Sequence, residues 1–332
     1  MERVRRDGQT NLVRCLWAPW IQWDLDCVGS GAVTAGLSNN ATGLGLAIAS
    51  AAAFGTTAIL GKFAYREGAD PVPLLAARFA VAALLLAAFG RIVVRPAARP
   101  TRSQAGRLLV LGALVFALES SLFFAALDEA PAGVVGLIFY SYPLMTSIAA
   151  IALGLEVFHR RIVGALLLGT AGILLIFTLP NEGLAGPLLA LAAAAAVSIY
   201  YLFAQVLVRG VDARAASTYT AAGAAASLLL LSAVTGQGLP RAALGPALGL
   251  GAVTAVAFVC LYGAVARIGS ARTSIACMVE PVTTLVLAAF LLGDEITWRV
   301  IAGAALVLSA LPILAGVQGH DAPAETPAPD AL

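Results

Sequence analysis

The chain has 332 residues, of which 60% are hydrophobic and 11% charged, with a mean hydropathy of +0.92. A soluble domain carries roughly 25% charged residues, so a deficit of this size excludes a soluble globular fold and points to an all-α polytopic membrane protein. The net charge of +2 is too mild for a nucleic-acid partner, and Cys15, Cys27, Cys260 and Cys277 form neither a CxxC pair nor a disulfide framework.

Residues 1–42 mix arginine, aspartate and three tryptophans without a clean apolar run, and "DLD" at 24–26 interrupts the best stretch. They lack the apolar core and small-residue cleavage site of a signal peptide and are expected to form a poorly ordered N-terminal extension. Apolar windows of the length that crosses a bilayer then follow at 43–63, 72–92, 107–127, 132–153 and 161–179. Five more follow at 184–207, 215–235, 246–266, 271–292 and 297–316. The window at 215–235 is the least apolar, because it opens "AASTYTAAG". Residues 317–332 are rich in proline and alanine and predict a disordered C-terminal tail.

Basic residues in short loops mark the cytoplasmic side. Arg91, Arg95, Arg99, Arg102 and Arg107 follow the second window, and Arg160 with Arg161 separate the fourth from the fifth. Arg209 and Arg214 lie between the sixth and seventh, and Arg267 and Arg272 between the eighth and ninth. The opposite connections are poor in base, which predicts an inner-membrane protein with both termini cytoplasmic.

The chain also repeats itself. "YPLMTSIAAIALGLE" (142–156) and "EPVTTLVLAAFLLGDE" (280–295) each carry an early proline, an apolar run and Leu-Gly-x-Glu. Upstream, "FFAAL" (123–127) aligns with "LYGAV" (261–265). Residues 43–180 and 181–316 therefore read as two copies of a five-helix unit. An odd number of spans per copy inverts the second, the architecture of secondary transporters with a midplane site between the repeats.

Ten spans in a five-plus-five duplication, with proline, apolar run and "LG-x-E" in both halves, resemble the EamA-type transporters of the drug/metabolite transporter superfamily. The context "LLAARFAVAALLL" around Arg78 is similar to that family's second span. The resemblance implies a permease for small metabolites, often an exporter of amino acids or related solutes, driven by an ion gradient or by the substrate's own gradient. The partners it brings are a small-molecule substrate, the lipid bilayer, a proton or other coupling ion, and a second copy where the protein is a homodimer. No cofactor is expected.

Polar groups inside the spans supply the candidate site. A carboxylate at mid-membrane costs roughly 2.5–3.5 kcal/mol on insertion scales and normally faces a cavity or partner. Glu280 lies about 14 Å into its span at helical rise, with Thr273, Ala276 and Thr283 on the same predicted face. Pro281 cannot donate to the Cys277 carbonyl, and a carbonyl freed beside a carboxylate can take a cation or an amine. The plain alternative is a packing kink with a protonated, hydrogen-bonded Glu280. Glu119, beside Ser120 and Ser121, is either a proton carrier or counter-ion, or a structural group. Arg78 either snorkels outward or pairs with Glu119, Glu280 or a substrate carboxylate. Tyr140 and Tyr142 precede Pro143, and Tyr142 holds the register position that Glu280 holds in the second copy. Their hydroxyls line a pocket or bond to backbone that the proline frees. Tyr200, Tyr201, Gln205 and Tyr262 rank below these. Glu156 and Glu295, at span ends, are expected to cap the helices that follow them, with gating as the lesser reading. Ala47, Ala51 and Gly55 form a small-xxx-small stripe that favours close helix approach.

The rival classes are weaker. His159 and His320 are the only histidines, no HExxH or GxGD sequence occurs, and "GTTAILGKF" fails as a P-loop, so an enzyme is not expected. No metal site is expected either. A non-transporting or lipid-handling membrane component, such as a receptor, assembly factor or flippase-like carrier, is the remaining alternative.

Overall fold

The computed structural model describes residues 34–92, 100–130, 132–156, 159–176, 184–292 and 298–315. Among these residues every regular element is a helix, as the bilayer demands of a chain that must satisfy its backbone internally. The first half holds α1 (Thr34–Arg66), α2 (Pro71–Ile92) and α3 (Arg102–Val110), which passes through a π-helical turn at Leu111–Phe116 into α4 (Ala117–Glu129). It ends with α5 (Ala132–Phe139), α6 (Tyr142–Ala152) and α7 (Arg160–Ile176). The second half holds α8 (Ala185–Leu207), α9 (Ala213–Thr235), α10 (Leu244–Ala276), a 3₁₀ turn at Cys277–Val279, α11 (Glu280–Leu292) and α12 (Trp298–Ala315).

Local chemistry explains the boundaries. Thr101 and Gln104 make a reciprocal capping box at the start of α3. Asp212 caps α9 by accepting from the Arg214 amide at 2.9 Å, and α9 ends on Gly236 at φ 70°. Pro143 sits in the first turn of α6, where its missing N–H costs nothing. Helix α1 begins at Thr34, so the last part of the stretch expected as an extension is helical; residues 1–33 and the predicted tail lie outside the described residues.

Six helical stretches are long and apolar enough to cross a membrane among the described residues. This is fewer than the ten windows of the sequence for two physical reasons. The eighth and ninth windows are one stretch, Arg241–Leu291, interrupted by a change of backbone conformation at Gly269 (φ 78°, ψ 173°) and by the 3₁₀ turn at Cys277–Val279. Others are short: the fourth window is divided at Tyr140–Ser141 into the helices α5 and α6, the fifth gives only the 17-residue α7, and the tenth only the apolar stretch Ile301–Leu314.

Helix α2 packs on α9, α7 on α12, α1 on α10, and α8 on α4, α5 and α6. Exchanging the two halves turns this pattern onto itself, since α1 corresponds to α8 and α10 to the α4–α6 region. Glycines permit the tightest crossings. A Cβ on Gly112 would collide with the Thr220 backbone and one on Gly223 with the Leu109 carbonyl, which locks α3 and its π turn against α9. Gly172 abuts Gly303 and Val307 at the α7–α12 crossing, while Gly55 meets Glu280 and Thr283 where α1 meets α11. Ala47 and Ala51, the rest of the small-residue stripe, are fully buried. Leu84, Leu230 and Phe290 are among the many large apolar side chains left exposed on the outside, as a lipid-facing surface requires.

Candidate functional site

Between the two halves lies a cavity of about 410 Å³. The helix breaks place its polar lining. α6 starts at Tyr142 and α11 at Glu280, so the register partners occupy the same structural position, the first residue of a helix that restarts after a break. The π-helical turn at Leu111–Phe116 brings Phe116 to the centre, where its ring lies 4.8 Å from Tyr200, 5.0 Å from Phe258 and 5.5 Å from Phe79. One turn later on the same span stands Glu119.

Arg78, Glu119, Glu280, Tyr140, Tyr142 and Tyr201 all line this cavity, together with Tyr200 and Pro281. Arg78 is buried; its Nε donates to Thr254 Oγ1 at 2.7 Å and its guanidinium lies 5.1 Å from the Phe79 ring and 6.0 Å from the Phe54 ring. Of the two readings of Arg78, the direct ion pair with Glu119 or Glu280 is not formed: among the described residues no carboxylate reaches within 4.0 Å of it. A hydroxyl and two aromatic faces hold the cation instead. Glu119 is buried and accepts from the Ser120 hydroxyl at 3.0 Å, whereas Ser121 turns away to the Ala117 carbonyl. The Glu280 carboxylate is partly exposed to the cavity and has no hydrogen-bond donor among the described residues.

Two expectations around Glu280 are corrected. The Cys277 carbonyl is not free beside Pro281, because the 3₁₀ turn gives it the Glu280 amide. The same turn shifts the helical face. Thr284 lines the cavity, Thr283 instead meets Gly55, and Thr273 donates back to the Gly269 carbonyl at 2.6 Å. Thr284 bonds the Gly55 carbonyl at 2.9 Å, tying α11 to α1 just below the carboxylate.

Tyr142 stacks on Tyr201 with centroids 5.6 Å apart, and its hydroxyl makes a long 3.4 Å contact to the Ser274 carbonyl. Tyr262 is not part of the lining; it is fully buried and shares a 2.6 Å hydrogen bond with Thr220. The structure also brings in residues the sequence reading missed, notably Phe54, Phe123, Phe124 and Phe139, and at the exposed end Lys62 and Tyr65. Aromatic residues at helical spacing read as ordinary core, so nothing in the sequence set these apart; the paired "FF" at 123–124 was the nearest available signal. Lys62 and Tyr65 mark a mouth at the α1 C-terminal end.

Glu156 does not cap the helix after it. α7 is capped by His159, whose Nδ1 accepts from the Arg161 amide at 3.2 Å, while Glu156 Oε1 accepts from the Ala271 amide of α10 at 2.9 Å. Burial raises the Glu156 carboxyl above its ordinary value, opposed by that amide and by nearby Arg272. Glu295 lies outside the described residues.

A helical bundle with apolar outer walls, built from two halves around a polar-lined, aromatic cavity, defines the class: a multi-pass membrane protein. The sequence model of the EamA-like transporter family matches residues 41–178 and again 184–315, and the chain belongs to that family. It is accordingly a membrane transporter of the drug/metabolite transporter superfamily. No curated protein matches the sequence. One solved structure, described as a crystal structure of a protein, is similar with a TM-score of 0.69 at 20% identity, over 83% of this chain and 97% of that one. At that identity the likeness bears on the fold alone.

Proposed function

We propose that the protein is a non-enzymatic secondary transporter of small metabolites, such as amino acids or related solutes, that works by alternating access at the cavity between its repeats. In this reading ten spans form two inverted five-helix repeats in the inner membrane, with both termini in the cytoplasm. The repeated contact pattern of the halves and the alternation of arginine-rich connections support that topology.

One observation carries the reading: a cavity of about 410 Å³ holds Arg78, Glu119 and Glu280 in one aromatic chamber, with the exposed Lys62 and Tyr65 at its mouth. Costly intramembrane charges are kept where they serve a path. Glu280, with no hydrogen-bond donor among the described residues, is placed to take a solute amine or a coupling proton. The unused amino groups of Arg78 suit a carboxylate, and the aromatic walls suit an apolar body. A solute with both an amine and a carboxylate matches this set.

Counterflow in proteoliposomes across a panel of amino acids, amines and organic acids tests the proposal. Accumulation of at least one labelled panel member, dependent on the same unlabelled solute inside, is the expected result. Failure of every member, with phenotypes arising from loop rather than cavity substitutions, would favour a non-transporting or lipid-handling component, which the deep charges alone do not exclude since they also suit a lipid headgroup.

A further inference from the structure

The end of the path opposite the mouth is shut by a contact between the halves that uses the Leu-Gly-x-Glu motif. α6 ends in a Schellman turn: Gly154, at φ 68°, donates to the Ile151 carbonyl at 3.1 Å, and the Leu155 amide donates to the Ala150 carbonyl at 2.9 Å. That reversal swings Glu156 away from its own helix. Across the interface, α10 breaks at Gly269, which also has positive φ. The residues after the break start a new helical segment, whose first amides have no intrahelical acceptor.

Two side chains from outside that helix accept those amides. Gln205 Oε1, from α8, takes the Ser270 amide at 2.9 Å, and Glu156 Oε1 takes the Ala271 amide at 2.9 Å. Gln205 also donates to the Leu155 carbonyl at 3.2 Å, so the two acceptors are joined to each other. Ser270, Ala271, Thr273 and Ser274 are fully buried behind them. Gln205 stands one helical turn, about 6 Å, beyond Tyr201 of the cavity wall. A Cβ on Gly269 would strike the Glu156 carboxylate, so the glycine is needed both for its backbone conformation and for this contact.

Resting on the transport reading, we infer that Glu156 and Gln205 are gate-positioning residues: they hold shut the end of the path opposite Lys62 and Tyr65 by capping the helix that restarts at Ser270. A carboxylate at a helix start gains from the helix dipole and from charge-assisted hydrogen bonding, and both are lost when the halves separate there. The closed end is thus held by polar contacts that water can replace one for one, which suits a contact that must open and re-form.

The test is thiol labelling of the full chain in proteoliposomes, with its natural cysteines replaced and Ser270→Cys as the probe. A membrane-impermeant maleimide is added to one side at a time. The probe alone should label slowly from both sides. Adding Glu156→Leu should raise labelling about tenfold from the side opposite the mouth, the shift that loss of one hydrogen bond of about 1.4 kcal/mol gives. Adding Glu156→Gln instead should leave it slow, because the amide oxygen still accepts from Ala271. Unchanged labelling in folded Glu156→Leu, equal increases on both sides, or a Gln variant as leaky as the Leu variant would each overturn the inference. Should Glu156→Leu fail to fold, Gln205→Leu removes the other hydrogen bond between the halves at this contact, its donation to the Leu155 carbonyl at 3.2 Å, and is read by the same criteria. Labelling needs no transported solute, so failed counterflow counts against the proposed function while labelling decides the gate.

Discussion

Glu280→Gln is the sharpest perturbation of the site. The carboxylate faces the cavity, and among the described residues no protein donor is left orphaned when its charge goes. The amide has nearly the same shape, and the backbone contacts of α11 to Gly55, through Thr284 at 2.9 Å, do not involve the side chain. If a solute amine docks there, exchanging a charged for a neutral acceptor replaces a hydrogen bond of about 1.5–3 kcal/mol with one of about 0.5–1.5 kcal/mol. The difference of about 1–1.5 kcal/mol weakens apparent affinity about 5- to 15-fold. If the group carries a coupling proton, the pH dependence of transport flattens instead. Stability moves the other way. An unpaired carboxylate costs roughly 2.5–3.5 kcal/mol on insertion scales, so the glutamine variant should unfold at the same or a higher temperature. Counterflow at two pH values, paired with thermal unfolding in detergent, reads both effects. Unchanged rate, affinity and pH profile would remove Glu280 from the mechanism. A lowered unfolding temperature would show that its role is structural.

Other substitutions separate packing from function. Tyr262→Phe removes the 2.6 Å bond to Thr220 in a fully buried place and should cost about 1–3 kcal/mol of stability, seen as a lower unfolding temperature with unchanged solute affinity. Tyr142→Phe loses a long 3.4 Å contact to Ser274 but keeps the ring stacking on Tyr201, so the unfolding temperature should fall by less than in Tyr262→Phe, and a transport defect larger than that loss explains would report contact with solute. Thr254→Val strips Arg78 of its 2.7 Å acceptor and should destabilise by about 1.5–3 kcal/mol; an unshifted unfolding temperature would mean that the aromatic faces alone hold the cation. Gly172→Leu drives a side chain against the Gly303 carbonyl, 2.6 Å from the new Cβ, and should loosen α7 from α12, whereas Gly164→Leu on the same helix meets nothing within 4 Å and should be silent in thermal unfolding.

The class and the duplication were legible because both rest on local chemistry that recurs. Apolar windows follow from bilayer thickness, and the twin prolines Pro143 and Pro281 mark helix restarts that the structure places at Tyr142 and Glu280. Deep charges likewise announced a cavity, because an intramembrane arginine or glutamate needs one. Span boundaries were less legible where small residues blur the pattern. The break at Gly269 leaves α10 helical on both sides, and α1 extends back to Thr34 through residues too polar to count as membrane core. The carbonyl of Cys277 was misread for a more specific reason. A proline removes one donor, but whether its acceptor stays free depends on whether the preceding turn tightens, and here it does.

What hid from the sequence was the identity of partners. Arg78 was read either as snorkelling outward or as pairing with a carboxylate, yet a threonine on α10 and two phenylalanine faces satisfy it at positions no spacing rule connects. Glu156 shows the same limit. Its glycine correctly signals the end of α6, and a carboxylate just past a helix end is rightly read as a cap. The amide it caps, however, is 115 residues away, in the other half of the chain. A turn fixes where a side chain is released, but the packing of the two halves decides what it meets. Residues that bridge the repeats are therefore those whose local motif is plain and whose target is not, and if transport proceeds by parting the halves, as proposed, they are where a gate has to be sought.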